Sequence, residues 1–140
     1  MRLSNQPTNN VIEIFFNNWI SFNLLFRFNS KFTPEIEDLK YYVENTFSEE
    51  NTQKLIKNHT NLIDILKNEN LTNRNDTENS SSQLQHAVSS HHNSDILLYT
   101  TLCVYAIRNQ LFHEGKKHSR LKNVNIFLKD LLRLGILELF

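Results

Sequence analysis

Ser94-Asp95-Ile96-Leu97-Leu98-Tyr99-Thr100-Thr101-Leu102-Cys103-Val104-Tyr105-Ala106-Ile107-Arg108-Asn109-Gln110-Leu111-Phe112 is the stretch on which the fold turns. Ser94-Asp95 is a helix-start signal. The residues that follow are apolar nearly all round the helix. A helix apolar on every face, yet too short to cross a membrane, is the central helix of a bundle.

The flanking sequence supplies partners for it. In Val11–Phe28, the residues Val11, Ile14, Phe15, Trp19, Phe22 and Phe26 recur at three- and four-residue steps, a helical period. Ile12, Phe16, Ile20 and Leu24 widen that stripe and predict burial on two sides. Thr33-Pro34-Glu35 reads as a cap, a first-turn proline and an acid at the positive end of a short helix over 34–44. Ser48-Glu49-Glu50 opens another helix, carried by Leu55, Ile56, Leu62, Ile63, Ile65 and Leu66 to about Asn70. Residues 71–94 are polar and low in complexity and read as a flexible loop, with at most a turn at Leu84, Ala87 and Val88. Gly115 suits a helix stop. Ser119 suits the cap of a last helix with the stripe Leu121, Val124, Leu128, Leu131 and Leu132, although Lys122 stands where a capping-box acid would help. The expectation is one all-α domain over 1–140, a bundle of four main helices and a short one.

Composition agrees. Two glycines and two prolines in 140 residues are too few for the tight turns of an all-β domain. Fifteen Lys and Arg balance fifteen Asp and Glu, which excludes a chain basic throughout but not a local basic patch. One cysteine excludes a disulfide framework and a multi-cysteine zinc site. The start lacks a signal-peptide core, and Val11–Phe28 carries Glu13, Asn17, Asn18, Asn23 and Arg27, too polar for a membrane span. A cytoplasmic protein with no membrane partner is expected. No glycine-rich phosphate loop is present, which excludes P-loop nucleotide hydrolysis.

The chemistry-bearing residues close the apolar helix: Arg108-Asn109-Gln110-Leu111-Phe112-His113-Glu114-Gly115-Lys116-Lys117. Arg and Asn at the end of a core helix are costly to bury without partners. His113 lies four residues after Asn109 and shares its face. Arg108, five residues before His113, is turned off that face. A bend near Gly115, a neighbouring helix or a second subunit would have to complete a site. On the residues alone, a helix C-terminus whose carbonyls are capped by these side chains is the better description.

Arg108-Asn109-x-x-x-His113, followed by Glu114-Gly115-Lys116, resembles the Arg-x4-His signature of the HEPN superfamily, in the Arg-Asn-x-Leu-Phe-His-x-Gly-Lys form of Apea-like members. Trp19-Ile20-Ser21-Phe22-Asn23 is similar to the Trp-x-x-Phe-Asn pattern of that family's first helix. The resemblance implies a HEPN-like four- to five-helix bundle, usually a homodimer. It implies a metal-independent endoribonuclease of a defence, toxin–antitoxin or RNA-processing system, with Arg108 and His113 as the catalytic pair and Asn109 as the polar residue beside the Arg. For other members it implies a non-catalytic module that binds RNA, a nucleotide or a partner such as an antitoxin or a nucleotidyltransferase. The chain departs from the toxin subgroup that carries Tyr two residues after the His, because Gly115 stands there.

The residue types suit the reaction. Histidine exchanges a proton near neutrality, and arginine forks onto phosphoryl oxygens, so an internal 2′-hydroxyl attack on phosphorus needs neither metal nor cofactor. Lys116, Lys117, Arg120 and Lys122, with His118, form a short basic run that could hold RNA phosphates beside such a site, although by itself the run fits a solvated turn better. His86, His91 and His92 lie in the polar stretch without metal-ligand spacing, and Cys103 reads as a small buried hydrophobe.

Overall fold

The computed structural model describes residues 7–28, 34–73, 79–114 and 120–139, with side chains from 10 onward in the first stretch and up to 112 in the third. Among these residues the protein is all-helical: α1 (Pro7–Arg27), α2 (Glu35–Thr46), α3 (Glu49–Asn58), α4 (Thr60–Lys67), α5 (Ser80–Ser89), α6 (Asn93–Glu114) and α7 (Leu121–Leu139). An isolated bridge joins Thr72 and Asn79. One hydrophobic cluster draws residues from all seven helices.

α6 is the central element and packs on α2, α3, α4 and α5. Its two core threonines are tolerated because each hydroxyl bonds back along the helix: Thr100 Oγ1 donates to Ile96 O at 2.6 Å and Thr101 Oγ1 to Leu97 O at 2.9 Å. α1 and α7 pack extensively on one another. Asn125 Nδ2 donates to Val11 O at 3.1 Å, and Leu25 lies beside Gly135, so the two helices run parallel.

α1 buries Phe15, Trp19, Phe22 and Phe26, the residues at alternating four- and three-residue steps. It is buried on one side rather than two, because Ile20 (57% exposed) and Leu24 (68%) face outward. Pro34, expected at the first helical position, instead holds the N-cap of α2 with extended backbone, and the helix begins at Glu35. Thr33 lies outside the described residues. Glu35, Glu37 and Asp38 fill the first turn, where the helix dipole favours them. Asp38 is buried and ion-paired to Arg27 at 3.6 Å, tying α2 to α1.

The predicted long helix from Ser48 divides in two. Ser48 caps α3, its hydroxyl accepting from Asn51 N at 3.1 Å. The chain then breaks at His59, whose φ and ψ of −125° and 30° leave the helical region. His59 turns inward: Nε2 lies 2.8 Å from Asp130 Oδ2, and the ring meets Phe127 edge-on at 5.3 Å. The break brings Leu55 of α3 and Leu62, Ile63 and Leu66 of α4 into one core.

The reading of 71–94 as a flexible loop is corrected by α5. Asn79 caps it, its side chain accepting from Ser82 N at 3.1 Å. Ser80, Ser81, Leu84 and Ala87 are buried against α6 and α4. The serines enter the core because they have partners: Ser81 Oγ accepts from Leu71 N and Ser80 Oγ from Asn73 Nδ2, both at 3.1 Å. His91 ends the helix with φ of 55°, the left-handed residue of a Schellman turn in which His92 N donates to Ala87 O at 3.1 Å. Residues 74–78 of the predicted loop, Gly115 and Ser119 lie outside the described residues. No described helix is long and apolar enough to cross a membrane.

Candidate active site

Tyr105, Arg108, Asn109 and Phe112 stand at i, i+3, i+4 and i+7 on α6, one face of the helix. Opposite them, α1 contributes Trp19 and Asn23 and α2 contributes Glu35. The Trp19 ring lies 5.9 Å from the Tyr105 ring.

The polar groups line up along that face. Arg108 Nη1 donates to Asn109 Oδ1 at 2.8 Å. Asn109 stands one turn from Tyr105 on the same face and acts to lower the pKa of its hydroxyl. Tyr105 donates to Glu35 Oε1 at 3.2 Å. Asn23 Nδ2 donates to the second oxygen, Glu35 Oε2. The Glu35 carboxylate therefore accepts from two helices while standing on a third. On the far side, the Arg108 guanidinium lies over the Phe112 ring at 5.3 Å from its centroid, within cation–π range.

Burial raises the Tyr105 pKa, and the Glu35 charge and hydrogen bond raise it further, whereas Arg108 and Asn109 act in the opposite sense. Tyr105 is thus held as a neutral donor at ordinary pH. One Asn109 bond leaves Arg108 with further donors for an oxyanion.

His113 belongs to the last turn of α6, and its side chain lies outside the described set. The helix is continuous through Glu114, so no break in it falls between Arg108 and His113. Five positions on an ideal helix turn the two by about 140°. Of the predicted phosphate contacts, Lys116 and Lys117 lie outside the described residues, as does His118, and Lys122 is exposed on α7. Arg120 is differently placed. Its side chain is 11% exposed and pairs with Glu69 at 2.7 Å, anchoring the start of α7 beside α4. Burial lowers its pKa and the Glu69 carboxylate raises it.

His86, His91 and His92 form no metal cluster with other ligand types among the described residues. His92 instead pairs with Asp95 at 3.0 Å at the start of α6. A cavity of about 310 Å³ between α5 and the start of α6, lined by Ser82, Gln83, His86, Ala87, Asp95 and Tyr99, belongs to the other end of that helix from Arg108.

In the sequence Glu35 reads as a helix-dipole acid, Tyr105 as part of the apolar helix and Asn23 as part of a first-helix pattern. The signal for Tyr105 was in the spacing, since it shares the 105-108-109-112 face. Nothing in the spacing pointed to Glu35, which is 70 positions away. Comparisons with protein-family models, with characterised proteins and with solved structures returned no match.

Proposed function

We propose that the protein is a metal-independent endoribonuclease of HEPN type, with a HEPN-like bundle fold. The observation that carries this reading is the Arg108–Asn109 pair, hydrogen-bonded at 2.8 Å in the last turns of the central helix, within the string Arg-Asn-x-x-x-His-x-Gly-Lys. Arg108 stabilises the charge that builds on the phosphoryl oxygens, and His113 moves the proton. Cleavage proceeds by attack of the 2′-hydroxyl on the adjacent phosphorus. The P–O5′ bond breaks, leaving a 2′,3′-cyclic phosphate and a 5′-hydroxyl. Asn109 orients Arg108. Lys116, Lys117 and Lys122 hold flanking phosphates.

The offset of Arg108 from His113 along one unbroken helix supports a homodimer, in which Arg108 of one copy works with His113 of the other. The biological setting in this reading is defence, a toxin–antitoxin pair or RNA processing.

Purified wild type, Arg108→Ala and His113→Ala are to be incubated with mixed-sequence RNA in EDTA, with product ends read by mass. Cleavage by wild type alone, leaving cyclic phosphates, is the expected result. Equal cutting by all three would refute the assignment of the pair. RNA binding without cutting by wild type would replace the nuclease with a non-catalytic binding module.

A further inference from the structure

We propose that Glu35 and Tyr105 are positioning residues that hold the Arg108 guanidinium in one orientation through Asn109. The catalytic part of this inference rests on the ribonuclease reading.

The connectivity runs in one direction. Arg108 donates to Asn109 and Tyr105 donates to Glu35, while Asn109 stands one turn from Tyr105 on the same helix face, its amide placed to bond the hydroxyl. Asn23 then holds the other carboxylate oxygen. A cation stands at one end and an anion at the other, with two neutral groups between them. The carboxylate can only accept, so Tyr105 must donate to it. The Tyr105 oxygen is then left to accept from Asn109 Nδ2. That fixes the Asn109 amide with Oδ1 toward Arg108. The raised pKa of Tyr105 keeps its proton in place throughout the neutral range.

The anchorage is tertiary. Asn23, Glu35 and Tyr105 come from α1, α2 and α6, so the orientation of one guanidinium depends on the docking of three helices. A lone arginine near the end of a helix samples many rotamers. Here Asn109 takes one edge of the fork and Phe112 one face. The remaining donors point as a set, which is what stabilising charge on a phosphorane requires.

The relay predicts separable effects. Tyr105→Phe removes one oxygen and keeps the ring against Trp19. Glu35→Gln replaces a pure acceptor by a group that must also donate, which conflicts with Asn23 or Tyr105. Both variants free Arg108 without removing any group from the substrate. The RNA KM therefore stays within about threefold while kcat falls by about 10- to 100-fold.

The test reads Arg108 directly. Rotation and exchange of its guanidinium nitrogens are measured by NMR on the labelled full chain, with the signal assigned by its loss in Arg108→Lys. Thermal melting serves as the control for folding, and cleavage kinetics are taken on the same samples. Slow guanidinium rotation in wild type and faster rotation in Tyr105→Phe, at unchanged melting temperature, supports the relay. Glu35→Gln gives the same result if it folds, and Tyr105→Phe carries the test if it does not. Identical Arg108 signals in wild type and Tyr105→Phe overturn it. So does an undiminished kcat in Tyr105→Phe where wild type cuts RNA. A wild type that never cuts, with an Arg108 signal that still responds to Tyr105→Phe, refutes the nuclease and leaves the positioning role standing.

Discussion

Gly135 of α7 faces the hydroxyl of Tyr42 on α2 so closely that a Cβ at 135 would overlap the phenolic oxygen. The glycine is inside a helix, where alanine is ordinarily favoured by about 1 kcal/mol. Here the preference inverts. The Tyr42 ring is buried between Phe22 and Phe47 and has little room to retreat. Gly135→Ala is expected to destabilise the protein by about 1–3 kcal/mol, the range for overpacking a core. The Tyr42 hydroxyl is buried without a hydrogen-bond partner among the described residues, so Tyr42→Phe removes the obstacle and forfeits no bond to them. The double variant should recover most of the loss in urea unfolding. Equal losses with and without the Tyr42 oxygen would show that the contact is not the cause.

Glu138 fastens the end of α7 to the start of α3. Its carboxylate accepts from Ser48 N at 2.7 Å and from Asn51 Nδ2 at 2.8 Å. The Ser48 backbone bond, then Asn51, lowers its pKa below the usual carboxylate value. A carboxylate with a lower pKa folded than unfolded stabilises fully above the unfolded value. That contribution is lost as pH falls through the folded one. The stability difference between wild type and Glu138→Gln should therefore shrink from neutral pH to about pH 3. A difference that stays constant over that range would remove the charge from the explanation.

Cys103 is buried in α6, and its thiol is pushed up to about 12, chiefly by burial, with the Glu69 charge adding to it. The thiolate is the reactive form, so alkylation of the native protein near pH 8 should be slower than in the unfolded chain by roughly a thousandfold. Iodoacetamide labelling with and without denaturant checks this. Comparable rates in the two conditions would show a thiol open to solvent.

Mixed dimers test how Arg108 and His113 are shared. If the site combines Arg108 of one copy with His113 of the other, Arg108→Ala and His113→Ala chains complement each other. Random mixing makes half the dimers hybrid, each with one intact composite site, so about a quarter of wild-type cleavage should return. A mixture as inactive as its parts would place both residues within one copy's site.

How much of this was legible in the sequence depends on where each residue's partner lies. The apolar run Ile96–Phe112 announced the central helix because its partners are simply the other apolar faces. α5 was hidden because Ser80 and Ser81 look like loop residues. They become core residues only through Asn73 and the Leu71 backbone, and composition registers polarity but not its satisfaction. The break at His59 was hidden for a related reason: Asp130, which receives it, lies 71 positions downstream. At the candidate site, Arg108 and Asn109 stood out as polar residues on an apolar helix. Tyr105 was masked by its ring, and Glu35 by a helix start that already accounted for an acid.

The parallel pairing of α1 with α7 bears on how the chain is made. The aromatic face of Phe15, Trp19, Phe22 and Phe26 leaves the ribosome ahead of the other described helices, and the helix that packs most extensively against α1 follows all of them. Until α7 is made, the nascent chain carries α1 without the helix that packs on it most extensively. Chaperone engagement with α1 should accordingly persist until α7 emerges, and nascent chains arrested before Leu121 should be the ones that aggregate.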